Sequence, residues 1–229
     1  MPVLFIHGLF PTIYDPPAGW ICPELPGYGA NLTGTPATLP NAVEFIRGLI
    51  REPAHIVGHS IGGAIAVLLA ARYPESVASL INVEGNFTLK DAFWSRGVAE
   101  MTEAEAVVQV SALRADPAGW LAKADVPVTP QSLAVAERSL AALPRTIQSM
   151  ARSVVAITAQ PAYFDHVRSV LDRGIPFHLI AGERSREGWD VPDFVLARAA
   201  SMQIQPNAGH MLMMNDQRAF AVIVERTIG

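Results

Sequence analysis

Cysteine is almost missing from this sequence: Cys22 is the only one among 229 residues. A single thiol excludes an intrachain disulfide and a cysteine metal cage. Charge is sparse as well, at 17% of residues with a formal net charge of −4, and the Lys and Arg side chains are scattered. No basic face is therefore expected of the kind that neutralises nucleic-acid phosphates. Long apolar runs are missing too. The longest, "AIAVLLAA", falls far short of the ~20 residues of a membrane span. The N-terminal "MPVLFIHGLF" lacks the basic region of a signal peptide. Neither internal repeats nor low-complexity tracts occur. The expected setting is reducing and cytoplasmic. The expected partner is a small molecule rather than nucleic acid or a membrane, with no metal or other cofactor.

What the chain has is apolar residues, half of its total, enough for a large core in one domain or one domain with an insertion. Short β-type runs alternate with helical ones. "VLFIH" (3–7), "GWIC" (19–22), "AHIVG" (54–58), "VASLINVEG" (77–85), "PFHLIAG" (176–182) and "SMQIQ" (201–205) read as strands. Between them, "NAVEFIRGLIRE" (41–52) carries Val43, Phe45, Ile46, Leu49 and Ile50 at helical spacing, and "GAIAVLLAARYP" is a helix stopped by Pro74. This alternation predicts an α/β fold, a mostly parallel sheet covered by helices on both faces, with ligands at the carboxyl ends of the strands. From Asn86 to about Gln160 no strand is apparent, and runs such as "TEAEAVVQVSALRA" and "PQSLAVAERSLAALP" are helical. The chain therefore divides into a core of 1–85 and 161–229 and a helical insertion of 86–160, placed to act as a lid.

The stretch "IVGHSIGGAIAVLLA" (56–70) sets one hydroxyl among glycines at the join of two apolar elements. Gly58-His59-Ser60-Ile61-Gly62 is G-x-S-x-G between a strand and a helix, the context in which that motif carries meaning. A turn this sharp forces its apex toward positive φ, a costly region for a residue with a Cβ. The residues two before and two after must lack side chains, because strand end and helix start pass close to each other. The hydroxyl is left at a helix N-terminus, where backbone N–H groups and the helix dipole favour a developing anion. A phosphate loop does not fit, since neither G-K-S/T nor the G-x-G-x-x-G spacing is present.

With these residues the chain resembles the α/β-hydrolase family. "FIHGLF" (5–10) is similar to the family's His-Gly strand end, "PELPGYGAN" (23–31) to its D-x-P-G-x-G-x-S loop, and "NAGHMLMMNDQRAF" (207–220) to its late Gly-His loop and the helix after it. Two positions depart from the loop pattern: Glu24 stands for the usual Asp and Asn31 for the common Ser. The family's first two strands have no counterpart before Val3, so the resemblance implies a shortened member with a sheet of about six strands.

A serine hydroxyl needs an adjacent base. His55 and His178 sit within strands, His166 on a helix, and His59 beside the apex but directed away from it. His7 matches a family residue that supports the oxyanion loop. His210 is left, in a loop after a late strand and in the family's order. The acid is less direct. The family's usual Asp follows the strand "PFHLIAG", but here Gly182-Glu183-Arg184-Ser185 puts a serine in its place. A second family location, the end of the strand after the elbow helix, holds Glu84. Glu84 is the assigned acid, with Glu183, Glu187 and Asp190 as rivals. The resemblance assigns the oxyanion hole to the backbone N–H groups of Leu9 and Ile61. Phe10, His59, Trp94 and Met211 are candidate pocket residues, with Trp120 and Met213 as further apolar walls; for all four of these tryptophan and methionine positions core packing is the plainer role.

The function so implied is cleavage of a small or medium, largely apolar carboxylic ester through an acyl-enzyme. A thioester, amide or carbon–carbon bond could be cleaved by the same residues. A ligand-sensing protein with slow turnover is the alternative of another class.

Overall fold

The computed structural model describes residues 1–32 and 34–229; Thr33, in the turn-rich stretch near "PELPGYGANLTGTP", lies outside the described residues. The chain begins with β1 (Val3–Ile6) and the short β2 (Trp20–Ile21), then α1 (Leu39–Leu49), β3 (Ala54–His59), α2 (Ile61–Arg72) and β4 (Val77–Val83). Six helices follow without an intervening strand: α3 (Phe93–Glu100), α4 (Glu103–Ala115), α5 (Pro117–Lys123), α6 (Pro130–Leu140), α7 (Pro144–Thr158) and α8 (Pro161–Asp172). The chain closes with β5 (Phe177–Gly182), α9 (Asp193–Leu196), β6 (Ser201–Gln205), α10 (Leu212–Asn215) and α11 (Gln217–Ile228).

The strands form one six-stranded sheet in the order β2-β1-β3-β4-β5-β6, and every neighbouring pair is parallel. Side chains alternate across it as strand geometry requires. Leu4 and Ile6 of β1 join a large core with α1, α2 and α8, while Val3 and Phe5 join a second one with Leu212 of α10 and Phe220 of α11. Helices therefore cover both faces. From β1 the chain steps outward to β2 and returns to lay β3 on the other side of β1. The winding reverses there, and the crevice beyond the carboxyl ends of β1 and β3 is where such sheets bind ligands.

The sequence reading placed the first helix at 41–52, two residues late at its start. Thr38 caps α1 by accepting a hydrogen bond from the Asn41 N–H, with Pro40 in the first turn, a place where proline's missing N–H costs nothing. Among the helices between the strands, α7 belongs to the main core through Ile147, Met150, Ala151 and Val154. It is also tied to the sheet side of the protein: the Ser153 hydroxyl accepts from the Leu39 N–H at 2.9 Å, and the Thr146 hydroxyl donates to the Gly27 carbonyl at 3.1 Å.

Candidate active site

The elbow has the geometry its sequence demands. Ser60 sits at φ 54°, directly between β3 and α2. A Cβ on Gly58 would come within 2.3 Å of the Gly62 carbonyl oxygen, and one on Gly62 within 2.2 Å of the Ile6 carbonyl oxygen. Both contacts are with backbone, which cannot step aside, so the turn exists only with glycine on either side of the serine. The Ile61 N–H opens α2 and, like all first-turn amides, has no acceptor within its helix. Leu9 follows the end of the adjacent strand β1, buried beside it.

His7 holds that strand end. Its Nδ1–H donates to the Gly8 carbonyl at 2.7 Å and its Nε2 accepts the Leu25 N–H at 3.1 Å. Burial lowers its pKa to about 4, so the neutral ring bridges the β1 end to the "PELPGYGAN" loop. Within that loop Glu24 accepts the Ala30 N–H at 2.8 Å. The residue that departs from the family pattern thus pins the turn.

At the end of β4, Glu84 has φ 41°, a strained conformation for a side-chain-bearing residue and one that concentrates at functional sites. One carboxylate oxygen lies 2.7 Å from His210 Nδ1. The other accepts the Gly182 N–H at 2.8 Å and the Ser185 hydroxyl at 2.6 Å. Burial alone would raise the pKa of this group. The hydrogen bond and charge of His210, together with Ser185 and Gly182, outweigh it and hold the carboxylate below its ordinary range. The serine that stands where the family usually has Asp thus donates to a carboxylate carried by the neighbouring strand.

The rival carboxylates are engaged elsewhere. Glu183 accepts the Asn207 N–H at 2.8 Å, Asp190 accepts the Thr88 hydroxyl at 2.8 Å and faces Lys90, and Glu187 is exposed in a short turn. The other histidines lie as the sequence suggested, with one exception. His55 and His178 are in strands, each bonded to a neighbouring serine hydroxyl, and His166 is on α8. His59 does not turn away from the site. Its ring centroid lies 4.8 Å from that of His210, and its Nε2–H donates to the His210 carbonyl at 2.9 Å. Burial and the neighbouring His210 keep it neutral by driving its pKa well below the ordinary value.

Ser60 and His210 open into one cavity of about 400 Å³. Leu9, Phe10, His59, Trp94 and Met211 line it, as does Trp120. The Phe10 ring meets both tryptophans edge-on, at 5.6 Å from Trp94 and 5.5 Å from Trp120. Met213 instead packs in the second core behind the sheet. Asp91, Lys123, Asp125 and Arg184 add charge to the wall, and none of these was singled out in the sequence. The Asp91 carboxylate accepts the Phe87, Thr88 and Asp190 N–H groups. Among the described residues, no group of three or more His, Cys, Asp or Glu is placed to hold a metal ion, and no helix is long and apolar enough to cross a membrane.

A wholly parallel sheet, a strained serine between strand and helix, and a histidine–carboxylate pair on nearby loops define an α/β protein with a sharp strand-to-helix elbow. The chain belongs to the alpha/beta hydrolase family, whose sequence profile matches residues 3–223. Among its relatives, a pimeloyl-(acyl-carrier protein) methyl ester esterase of Neisseria meningitidis serogroup C is 39% identical over 66 residues, covering 28% of this chain and 26% of that protein. Lipase LipV of Mycobacterium tuberculosis is 32% identical over 127 residues, covering 53% of this chain and 48% of that protein. The chain thus spans about a quarter to a half of the length of these relatives. In fold, it superimposes on a thermophilic esterase from Thermogutta terrifontis with a TM-score of 0.69 at 19% identity, over 100% of this chain and 91% of that one.

Proposed function

We propose that this chain is a serine hydrolase that cleaves a small or medium, largely apolar carboxylic ester through an acyl-enzyme. Ser60 Oγ attacks the carbonyl and His210 takes its proton. Glu84 orients the imidazole and stabilises its positive charge. The Leu9 and Ile61 N–H groups receive the oxyanion, His210 passes its proton to the departing alcohol as the acyl-enzyme forms, and a water deprotonated by His210 then releases the acid and restores Ser60. The observation that carries the reading is the 2.7 Å contact between Glu84 and His210 Nδ1. With Nδ1 so engaged, Nε2 is the ring nitrogen left to serve a base's role toward the elbow serine. The apolar and aromatic walls favour an acyl or alkyl group of moderate size. The experiment is covalent labelling with an organophosphonate, followed by peptide mapping alongside hydrolysis of a short-chain aryl ester panel. The adduct is expected on Ser60; an adduct on another serine, or none, refutes the assignment.

Ser185→Ala tests the support of the acid. Losing a hydrogen bond to a buried charge costs about 1.5–3 kcal/mol, so kcat should fall by roughly 10- to 100-fold. The sign of the pH effect follows from the depressed pKa of Glu84. The charged pair holds above that lowered value and is lost as pH falls through it, so removing a donor raises the pKa. Loss of the Glu84 charge, and of the activity that depends on it, should therefore begin at higher pH in the variant. An unchanged pH profile would count against the role of Ser185.

We also propose that the 86–160 block acts as the lid, with its first half, from Asp91 to Asp125, facing the cavity and α7 anchoring it. Trp94 is the clean probe, being 37% exposed, whereas Trp120 is 4% exposed and its truncation would cost about 3–5 kcal/mol of stability. Trp94→Ala should change the ratio of kcat/KM between short and longer acyl esters by roughly tenfold with little change in Tm. The idea fails if Tm drops while the ratio stays the same.

A further inference from the structure

We propose that Asp125, a residue of the helical block, is a positioning residue that holds both the base and the acid in register. The inference rests on the reading of Ser60, His210 and Glu84 given above. Asp125 follows α5 in the left-handed region, at φ 58°, and lines the cavity wall. Its carboxylate pairs with Arg184 Nε, and its carbonyl accepts Arg184 Nη2 at 3.2 Å. The same carbonyl accepts Asn215 Nδ2 at 2.9 Å.

Each of these partners sits one step from the catalytic groups. Arg184 immediately precedes Ser185, whose hydroxyl is bonded to Glu84 at 2.6 Å. Asn215 Oδ1 accepts the N–H of Gly209 at 3.2 Å, and Gly209 immediately precedes His210. Asp125 also packs directly on Gly209, where a Cβ would lie 3.2 Å from its carboxylate. The two loops are further joined by the Arg184 N–H donating to the Ala208 carbonyl at 3.0 Å. One residue outside the sheet core therefore touches the loop that supports the acid and the loop that carries the base. When the helical block is seated, Glu84 and His210 are held in line; when it shifts, both loops lose a shared anchor.

Charge and exposure make the idea separable from a plain stability role. The Asp125 and Arg184 side chains are 58% and 41% exposed, and an exposed ion pair adds little to stability. Asparagine tolerates the left-handed region as well as aspartate does, so Asp125→Asn removes the charge without new backbone strain.

The test compares Asp125→Asn, Arg184→Gln, Arg184→Lys and the Asp125→Asn/Arg184→Gln double variant in the full chain. Readouts are kcat and KM on a p-nitrophenyl ester, Tm, and the downfield proton NMR signal of the His210–Glu84 pair. Each charge-removing single variant should lower kcat about tenfold with KM and Tm nearly unchanged and the NMR signal broadened. The double variant should be no worse than either single one, and Arg184→Lys should recover part of the loss. The proposal is overturned if kcat stays within twofold and the signal stays sharp, if KM alone rises, or if the losses multiply. Failure of the underlying reading looks different: Ser60→Ala would then keep full turnover whatever the Asp125 and Arg184 variants do.

Discussion

Replacing Ser60 with alanine is expected to abolish ester turnover, lowering kcat by about 10⁴–10⁶-fold, the loss typical of a missing nucleophile that works with a base as one unit. The fold should survive. Ser60 occupies the N-cap position of α2 but makes no side-chain capping bond there, so its hydroxyl contributes nothing to helix initiation. Alanine carries the same Cβ into the φ of 54°, and the strain is therefore unchanged. Steady-state kinetics with a thermal melt check both halves. Full activity in the variant would remove Ser60 from the chemistry, and a collapsed melt would mean that the hydroxyl has a structural role that the hydrogen bonds do not reveal.

Glu84→Gln carries the second-largest expected effect: kcat lower by roughly 10²–10⁴-fold with KM little changed, because the charge acts mainly once the imidazolium forms. Glutamine keeps the shape but has a single oxygen, which can face either the Gly182 N–H and Ser185 hydroxyl or His210, not both. Toward His210 it offers either a neutral oxygen or a competing N–H. The first loses the ion pair, and the second forces the ring into the tautomer that cannot take a proton from serine. Glu183→Gln and Asp190→Asn should be far milder, since those carboxylates are bonded to Asn207 and Thr88. If Asp190→Asn matched the loss seen in Glu84→Gln, the assignment of the acid would be wrong.

Legibility differed from one feature to another, and the differences have physical causes. Ser60 could be read because its constraint is local: five consecutive residues must satisfy one turn, and only glycine escapes the backbone contacts at 2.2 and 2.3 Å. The four inner strands could be read because parallel strands buried on both faces are short apolar runs between turn residues. The start of α1 is set by the Thr38 cap and by Pro40 in the first turn, neither of which belongs to the apolar spacing that marks the helix. The contact of His59 with the loop at residue 210 is not legible in the sequence, since chain neighbours do not say which strand-end side chain meets a distant loop.

By itself, the sequence determined the parallel α/β architecture, the elbow and its serine, each from periodicity or steric rules acting within a few residues. Glu84 was reached from the sequence through the family resemblance; tertiary structure supplied its contact with His210, the hydrogen bond from Ser185, and the reach of Asp125 to both loops. Those contacts join residues 126, 101 and 59 positions apart in the chain. Glu84, Ser185 and Arg184 are ordinary residues in their own neighbourhoods. They meet because the order β3-β4-β5 brings three strand ends to one edge of the sheet, where residues of the helices between β4 and β5 line the cavity.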